Sequence, residues 1–340
     1  MKFDQLNSTL IIELTNMCNL NCIMCEIDRP RQGFMTIDLF REILNKIKQS
    51  KYSFNMFLPF WKGEPLLHPQ FIEMMELYLK MNLNNSIAKN LGFDTNAHFL
   101  DKDISEFILK SNIFTVITFS IDAACNNTYS LIRGGDFEKI LNNIRRFIKI
   151  KLSLNKKNPN IVFQFIVMEE NKDELGDFIK KIKELLLEFD IKNLKVNYNY
   201  DKPDFIGEYT ILFRKVLKKN KVEQEKSNIL FSQKMSEIFE DFNTISNLKT
   251  ICGGPFSHVA IDYEGNVYPC CVENKVDFSL GNIIYKSLND IICSEDMIKL
   301  RNYLLGIGNE KNKVCENCIG QVFPIYYEKN IKMLKGLSEI

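Results

Sequence analysis

Three cysteines packed into one short segment, CNLNCIMC, are the residues of this chain best suited to chemistry. Cys18, Cys22 and Cys25 are separated by three and then two residues, so their thiolates can surround one metal centre. A structural zinc site takes four ligands, but the segment holds no fourth Cys or His and the nearest histidine is His68. On a four-iron cluster, three cysteines leave one iron open to another ligand. The alternative is an incomplete zinc knuckle or coincidental thiols.

Five more cysteines lie towards the other end of the sequence: Cys252, Cys270, Cys271, Cys315 and Cys318. With the isolated Cys125 and Cys293 the total is ten. The first residues show no cleavage site and place Glu13 inside their apolar run, so we expect no signal peptide and a cytoplasmic location. Without an oxidising compartment, this many cysteines serve metal or redox chemistry more often than disulfides. We expect Cys125 and Cys293 to pack as small apolar side chains.

Composition and charge narrow the class of protein. The chain has 340 residues, of which 45% are hydrophobic and 26% charged, as in a folded protein rather than a disordered one. Its 44 basic and 43 acidic side chains give a formal net charge of +1, so the basic excess typical of nucleic-acid-binding proteins is missing. No stretch approaches the ~18 uninterrupted apolar residues of a membrane helix. We expect neither a nucleic acid nor a membrane as a partner.

Short apolar segments alternate with helical patterns between the two cysteine groups. Six segments have the pattern of strands: Thr9–Leu14, Phe54–Phe60, Ile87–Phe93, Phe114–Ile121, Ile161–Val167 and Leu194–Tyr198. Five have the periodicity of helices: Ile37–Gln49, Gln70–Lys80, Lys102–Ser111, Phe137–Lys149 and Asp173–Phe189. Strand followed by helix, five times over, predicts an α/β fold of right-handed βαβ units with a parallel sheet. Six strands are too few for an eight-stranded barrel, so a partial barrel or an open sheet is predicted.

The segment Asp201–Thr250 breaks this alternation. It is rich in Lys, Asn, Phe and Glu, and it predicts two connecting helices, Tyr209–Lys219 and Leu230–Phe242. The chain therefore divides into a barrel domain, a helical connector and a cysteine-bearing domain, at residues 1–200, 201–250 and 251–340.

The last of these domains begins with a predicted hairpin. The segment CGGPFSHVAIDYEGNVYPCC contains strands at His258–Asp262 and Val267–Pro269, joined by a Glu-Gly-Asn turn. A helix is predicted near Ser287–Tyr303, ahead of the last two cysteines.

Four short motifs resemble those of the radical S-adenosylmethionine (SAM) superfamily, and they occur in the family's order. CNLNCIMC is similar to its CxxxCxxC loop, and KGEPLL at 62–67 to its GGEPLL motif. DTNA at 94–97 is similar to its TNG turn. SID at 120–122, followed by Tyr129 and Arg133, resembles its SxD…YxxxR stretch. Each of the four follows a predicted strand, and parallel α/β folds bind their ligands at that edge of the sheet.

The resemblance implies a partial (β/α)6 barrel in which Cys18, Cys22 and Cys25 hold a 4Fe–4S cluster whose open iron binds SAM. It also implies a set of SAM contacts: Met24, Gly63, Glu64, Thr95, Asn96, Ser120, Asp122 and Arg133. Within that set, the Glu64 motif would hold the amino group, and Ser120 and Arg133 the ribose and carboxylate. As alternatives, Glu64 could be a surface acid and Arg133 a loop cation paired with Asp136.

At three positions the chain departs from the family motifs. Lys62 and Ala97 each stand where the family has glycine. Met24 replaces the aromatic residue that usually precedes the third cysteine near the adenine, which leaves an apolar contact at that place.

The C-terminal cysteines resemble the SPASM/twitch extensions of the same family, which hold auxiliary iron–sulfur clusters. The resemblance implies four thiolates on one auxiliary 4Fe–4S cluster, from Cys252, Cys270, Cys315 and Cys318. Their spacing is similar to the single-cluster twitch form of aminocyclitol dehydrogenases. A zinc ribbon with the same thiolates is the alternative. We expect Cys271 to be a buried thiol rather than a ligand.

The implied activity is reductive cleavage of SAM to a 5′-deoxyadenosyl radical that takes a substrate hydrogen, with flavodoxin or ferredoxin as reductant. With the auxiliary cluster as electron acceptor, the favoured outcome is dehydrogenation of a sugar-like or aminocyclitol alcohol. The general base is open among His68, Tyr129, Glu169 and others.

Two further functions are carried as alternatives. One is a peptide maturase that oxidises, crosslinks or epimerises a peptide, although no recognition domain precedes Cys18 in this sequence. The other is a non-catalytic iron–sulfur or zinc protein for binding or electron relay. A molybdenum-cofactor cyclase also has one extra cluster, but it ends in Gly-Gly, whereas this chain ends Gly-Leu-Ser-Glu-Ile.

Overall fold

The computed structural model describes residues 8–25, 32–50, 52–198, 206–217, 221–240, 242, 250–271, 278–307, 315 and 324–326. Its strands are β1 (Thr9–Ile12), β2 (Phe54–Leu58), β3 (Ala88–Thr95), β4 (Val116–Ser120), β5 (Asn160–Val167), β6 (Lys195–Asn197), β7 (Tyr209–Lys215), β8 (Thr250–Cys252), β9 (His258–Ile261), β10 (Asn266–Tyr268), β11 (Gly281–Asn282) and β12 (Pro324–Tyr326). Its helices are α1 (Ile37–Ser50), α2 (Phe71–Met81), α3 (Lys102–Ser111), α4 (Asn126–Arg133), α5 (Phe137–Ser153), α6 (Leu175–Leu187), α7 (Lys221–Ile238), α8 (Gly254–Ser257), α9 (Leu288–Ile292) and α10 (Glu295–Leu305).

Two compact units make up the chain. Unit 1 comprises Met1–Met17, Asp28–Leu91 and Ile245–Ile340, and unit 2 comprises Cys18–Ile27 and Gly92–Thr244. Strand β3 therefore has its first four residues in unit 1 and its last four in unit 2. The predicted boundaries at residues 200 and 250 stay predictions.

The sheet of unit 1 runs in the order β11-β10-β9-β1-β2-β3. β1 is parallel to β2, with Leu10 opposite Phe57, and parallel to β9, with Leu10 opposite Val259. The predicted hairpin is confirmed as β9 and β10, which pair antiparallel. Its pairing with β1, which the sequence did not predict, makes the C-terminal hairpin part of the same sheet as the N-terminal strand.

The sheet of unit 2 runs β3-β4-β5-β7-β6 and is parallel throughout. Its β7 corrects the sequence analysis, which predicted a helix over Tyr209–Lys219. The run YTILF is buried along its whole length between two neighbouring strands, as a central parallel strand requires. Periodicity alone does not distinguish such a short apolar run from a buried helix. Helix α7 also starts earlier than the predicted Leu230–Phe242, part of which lies outside the described residues.

The remaining predicted elements agree with the structure to within a few residues, with one break. The helix predicted over Ser287–Tyr303 is two helices, α9 and α10. The side chain of Ser294 accepts a hydrogen bond from the amide of Met297 and so caps the start of α10. The α/β class with parallel strands is confirmed. No helix in the described part of the chain is long and apolar enough to cross a membrane.

Candidate functional site

The segment with the three clustered cysteines belongs to unit 2, and all three thiols are partly buried. The amide of Cys25 donates to the carbonyl of Cys22 at 3.0 Å and closes a turn, while the amide of Ile23 donates to a carbonyl of α4 at 2.9 Å. Burial raises the pKa of the Cys22 thiol, Arg133 lowers it, and the thiols of Cys18 and Cys25 raise it. The three thiols therefore lie within electrostatic reach of one another, beside a cation.

Two polar side chains point N–H groups at these thiols. Nη1 of Arg133 lies 3.8 Å from Sγ of Cys22, and Nδ2 of Asn96 lies 3.9 Å from Sγ of Cys18. Within the described residues, no three side chains of His, Cys, Asp or Glu converge to hold a single metal ion. In a four-iron cluster each thiolate binds a different iron, so its ligands do not converge on one point. Three half-buried thiols with amide and cationic donors fit such an anionic cluster.

Asp122 and Arg133 form a buried ion pair next to the cysteine loop. Nε of Arg133 donates to Oδ2 of Asp122 at 2.9 Å, and Nη2 donates to the same oxygen. Asp122 adopts a left-handed backbone with φ of 64°. The amide of Ile166 holds it by donating to Oδ1 at 2.7 Å, and Nδ2 of Asn171 donates to its carbonyl at 2.9 Å. Burial lowers the pKa of Arg133, but the carboxylate of Asp122 more than offsets this, so the guanidinium stays charged.

The DTNA segment forms a tight turn at the end of β3. Oγ1 of Thr95 accepts from the amide of Ala97 at 3.0 Å, and Oδ1 of Asn96 accepts from the amide of His98 at 3.0 Å. Ala97 has φ of 61°, the left-handed conformation for which glycine is best suited. The turn geometry is therefore kept although alanine replaces the glycine.

Met24 and Ser120 also lie in unit 2. Met24 packs against a small apolar cluster of Ile132, Met168 and Val216. Oγ of Ser120 accepts from Nε2 of Gln164 at 3.3 Å. Met24 therefore has apolar surroundings, its expected contact with the adenine stays a prediction, and Ser120 belongs to a polar network.

That network contains residues to which the sequence analysis gave no role. Nη1 of Arg214, on β7, donates to Oε1 of Gln164 at 2.6 Å and lies 3.9 Å from Oδ2 of Asp94. Burial raises the pKa of Asp94, and Arg214 opposes the shift. A charged residue after TILF would have been a usable signal, but the mistaken helix over β7 concealed it.

The KGEPLL segment belongs to unit 1. A Cβ atom on Gly63 would lie 2.3 Å from the carbonyl oxygen of Thr15 and 2.5 Å from that of Met17, so only glycine fits. The amide of Glu64 donates to the carbonyl of Met17 at 2.9 Å, and Oε1 of Glu64 accepts from the amide of Leu66 at 3.1 Å. Glu64 is 3% exposed and is not a surface acid. The motif is thus fixed to the residues that directly precede Cys18 in the chain.

The C-terminal cysteines are also in unit 1. Cys252 ends β8, which pairs antiparallel with β12, and Cys270 follows β10. These two and Cys315 are partly buried, and Cys318 lies outside the described residues. Cys271 is partly buried and packs against an apolar cluster that includes Ile11 and Tyr268.

The residues considered as a general base differ in their burial and in their partners. His68 is buried, with Nδ1 accepting from the amide of Gln70 at 3.1 Å and Nε2 lying 2.9 Å from the carbonyl oxygen of Met35. The ring of Tyr129 packs against two neighbouring rings. Glu169 is an exposed acid paired with Lys172. The choice of general base among them stays open.

Two other expectations need correction. Cys125 is exposed, with Sγ 3.4 Å from Oγ1 of Thr128, so the prediction of apolar packing was wrong. Asp136, considered as a partner of Arg133, instead caps α5 by accepting from the amide of Lys139 at 3.0 Å.

Two family models match the chain. The one described as the radical SAM superfamily matches residues 12–182, and the one described as an iron–sulfur cluster-binding domain, SPASM, matches residues 252–319. Among curated proteins, a GTP 3′,8-cyclase of Clostridium botulinum (strain Okra / Type B1) is 25% identical over 294 residues, which cover 82% of this chain and 85% of the relative.

Solved structures share the fold. anSMEcpe with AdoMet and the Cp18Cys peptide matches with a TM-score of 0.60 at 17% identity, covering 97% of this chain and 98% of that one. BtrN with AdoMet and 2-DOIA matches with a TM-score of 0.51 at 14% identity, covering 95% of this chain and 100% of that one.

Proposed function

The chain belongs to the radical SAM superfamily, and from that premise we propose that it is an oxidoreductase that removes two electrons from its substrate. As a superfamily member with a SPASM domain, it uses SAM and 4Fe–4S clusters. The observation that carries the proposal is the presence of two separate cysteine sets, of three and of four thiols, each inside its own matched domain. Three thiols leave an iron open for SAM, whereas four close the second cluster.

In this proposal Cys18, Cys22 and Cys25 hold the first cluster. That cluster, when bound, supplies the electron that cleaves SAM to methionine and a 5′-deoxyadenosyl radical. The chain's own residues hold and orient the reactants. Gly63 permits the close backbone approach of the KGEPLL segment, and Glu64 binds the SAM amino group. The remaining predicted SAM contacts, all in unit 2, are Met24, Thr95, Asn96, Ser120, Asp122 and Arg133.

The C-terminal set, Cys252, Cys270, Cys315 and Cys318, holds the auxiliary cluster. Four thiolates would occupy every iron of such a cluster, and the cluster, when bound, would supply an acceptor for the second electron from the substrate. Dehydrogenation of an alcohol also needs a proton acceptor. Asp94 suits that task, because burial raises its pKa above the ordinary value of a carboxyl and Arg214, which donates to Gln164, lies 3.9 Å from its Oδ2. The favoured substrate in this proposal is a sugar-like or aminocyclitol alcohol.

A peptide is the second candidate substrate. anSMEcpe, which shares the fold, was solved with a peptide, and BtrN, which also shares it, was solved with 2-DOIA. The two candidates differ in the substrate, and the peptide candidate includes oxidation, crosslinking and epimerisation as outcomes. Flavodoxin or ferredoxin is the proposed source of the first electron.

The first test of the proposal is anaerobic reconstitution followed by a SAM-cleavage assay with dithionite. We expect 5′-deoxyadenosine from the parent chain and none from C22A. C252A should still cleave SAM, because its first cluster is intact, but should yield no oxidised product. C125A, which changes an exposed thiol outside both sets, is the matched control and should behave as the parent. No 5′-deoxyadenosine from the reconstituted parent would contradict the proposal.

The second test separates the candidate substrates. Iron and sulfide analysis should give two clusters per chain in the parent and one in the variant that lacks Cys18, Cys22 and Cys25. The loaded enzyme is then offered a panel of aminocyclitols and a panel of peptides, and the transfer of substrate deuterium into 5′-deoxyadenosine is measured. Transfer from a peptide alone would favour the second candidate.

A further inference from the structure

Lys62, which stands where the family motif has glycine, is buried inside unit 1 among one acidic and two aromatic side chains. Its Nζ lies 3.5 Å from Oε2 of Glu13 and 4.1 Å from the ring centroid of Trp61. The ring of Tyr268 is 5.7 Å away. Lys62 is 9% exposed, so its ammonium group is held among these partners rather than in solvent. The departure from the motif therefore places a buried cation in the loop that leads to Glu64.

Trp61, the only tryptophan of the chain, ties the same loop to the C-terminal domain within unit 1. Its Nε1 donates to the carbonyl oxygen of Cys271 at 2.7 Å, and its ring meets that of Tyr268 edge-on at 5.2 Å. Tyr268 and Cys271 flank Cys270, a proposed ligand of the auxiliary cluster. One hydrogen bond and one ring contact thus fix the segment that carries this ligand to the residues before Gly63 and Glu64.

The charge of Lys62 is only partly neutralised. Its facing carboxylate, Glu13, is fully buried, and burial raises the Glu13 pKa to about 7 in spite of Lys62. Near neutral pH a substantial fraction of Glu13 is therefore protonated, so Glu13 offsets the positive charge of Lys62 only in part. The buried carboxylate of Asp262, which accepts from the Tyr268 hydroxyl at 3.1 Å, adds a negative charge nearby, and the positive contribution to the local field comes from Lys62. A positive charge near an iron–sulfur cluster favours its reduced state, because reduction adds negative charge.

We propose that Trp61 and Lys62 are positioning residues for the auxiliary cluster: Trp61 anchors the Cys270 segment to the SAM-binding loop, and Lys62 raises the reduction potential of the cluster. This inference rests on the proposed function, since it takes Cys270 to be a cluster ligand. It assigns a role to the lysine that replaces the motif glycine.

The test uses full-length reconstituted protein in which Cys18, Cys22 and Cys25 are changed to alanine, so that only the auxiliary cluster forms. Redox titration followed by electron paramagnetic resonance gives its reduction potential. In K62Q the ratio of reduced to oxidised cluster at a fixed applied potential should fall about tenfold, while K62R, which keeps the charge, should remain close to the parent. K299Q, which removes an exposed lysine of unit 1, is the control and should leave the ratio unchanged.

The anchoring role is tested by W61F, which keeps a ring and removes the N–H donor. Chelator should extract iron from the auxiliary cluster several-fold faster in W61F than in the parent, whereas Y285F, at an exposed ring, should match the parent. A reduction potential that does not respond to K62Q, or iron release unchanged in W61F, would overturn the inference while leaving the proposed function intact. A parent in which no second cluster assembles would contradict the proposed function as well.

Discussion

Nε of Arg133 donates to Oδ2 of Asp122 at 2.9 Å, in a pair that is almost completely buried. The same guanidinium directs Nη1 to Cys22, so Asp122 decides where the cation of the YxxxR motif points. The left-handed backbone of Asp122, held by the amide of Ile166, is the local cost of that arrangement. The Asp122 carboxylate therefore has two effects. It stabilises the folded state, and it sets the electrostatics of the cysteine loop by orienting the Arg133 cation beside a thiol.

D122A should therefore destabilise the protein strongly, because it leaves the Arg133 charge buried and uncompensated. We expect a loss of about 3–5 kcal/mol, measured by chemical denaturation. D122N, which keeps an acceptor oxygen, should lose less. The control is E106A, which breaks an exposed pair with Lys110 and should cost far less than D122A, because solvent screens an exposed ion pair. Equal losses in D122A and E106A would show that the buried pair does not hold the fold.

The free energy of unfolding should depend on pH through the titration of Glu13. Its pKa in the folded state is about 7, against an ordinary value of 4.5, because burial outweighs the opposing charge of Lys62. Between these two values the unfolded chain releases the proton while the folded chain keeps it. The contribution of Glu13 to stability is therefore greatest below pH 4.5, falls as the pH rises through the window, and is lower by about 3 kcal/mol above it.

E13Q has no titrating group at this position. The histidines contribute equally to the free energy of unfolding of the parent and of E13Q, so the difference between the two values isolates the effect of Glu13. The free energy of unfolding of the parent minus that of E13Q should fall by about 3 kcal/mol between pH 4.5 and pH 8. Denaturation curves at a series of pH values measure it. A difference that stays constant, or rises with pH, would mean that Glu13 does not titrate in that range.

The sequence allowed prediction of whatever depends on spacing and periodicity. Helix α3 was predicted with its observed bounds, since Asp101 caps its start and an apolar stripe follows. The interior pairings could not be predicted. Asp136 is nearer to Arg133 in sequence than Asp122 is, yet Asp122 is the partner because β4 and α4 bring the two together. Arg214 was concealed by a short apolar run that fits a buried strand and a helix equally well.

G63A should disrupt the KGEPLL segment. The added methyl group would lie 2.3 Å from a backbone oxygen of Thr15, and a backbone atom cannot swing aside as a side chain does. We expect a loss of more than ~2 kcal/mol in unfolding free energy, with at least a tenfold loss of SAM affinity in equilibrium dialysis. G176A is the control, because a Cβ atom there meets nothing within 4 Å. Gly176 lies in the first turn of α6, where alanine has the higher helix propensity, so G176A should raise the free energy of unfolding by about 0.5–1 kcal/mol. Unimpaired SAM binding by G63A would contradict the role given to this glycine.

Ala97 offers the opposite test, since it holds a left-handed backbone that glycine adopts without strain. A97G should remove about 1–2 kcal/mol of strain, which offsets the loss of a buried methyl group and the greater freedom of glycine in the unfolded chain. Its unfolding free energy should stay within ~0.5 kcal/mol of the parent, and SAM affinity should be kept because the amides bound by Thr95 and Asn96 remain. A123G is the matched control: Ala123 is equally buried but is not among the described residues with positive φ, so glycine there should cost about 1.5 kcal/mol. Chemical denaturation measures the free energy of unfolding of both variants. Equal losses in A97G and A123G would mean that alanine occupies the turn without strain.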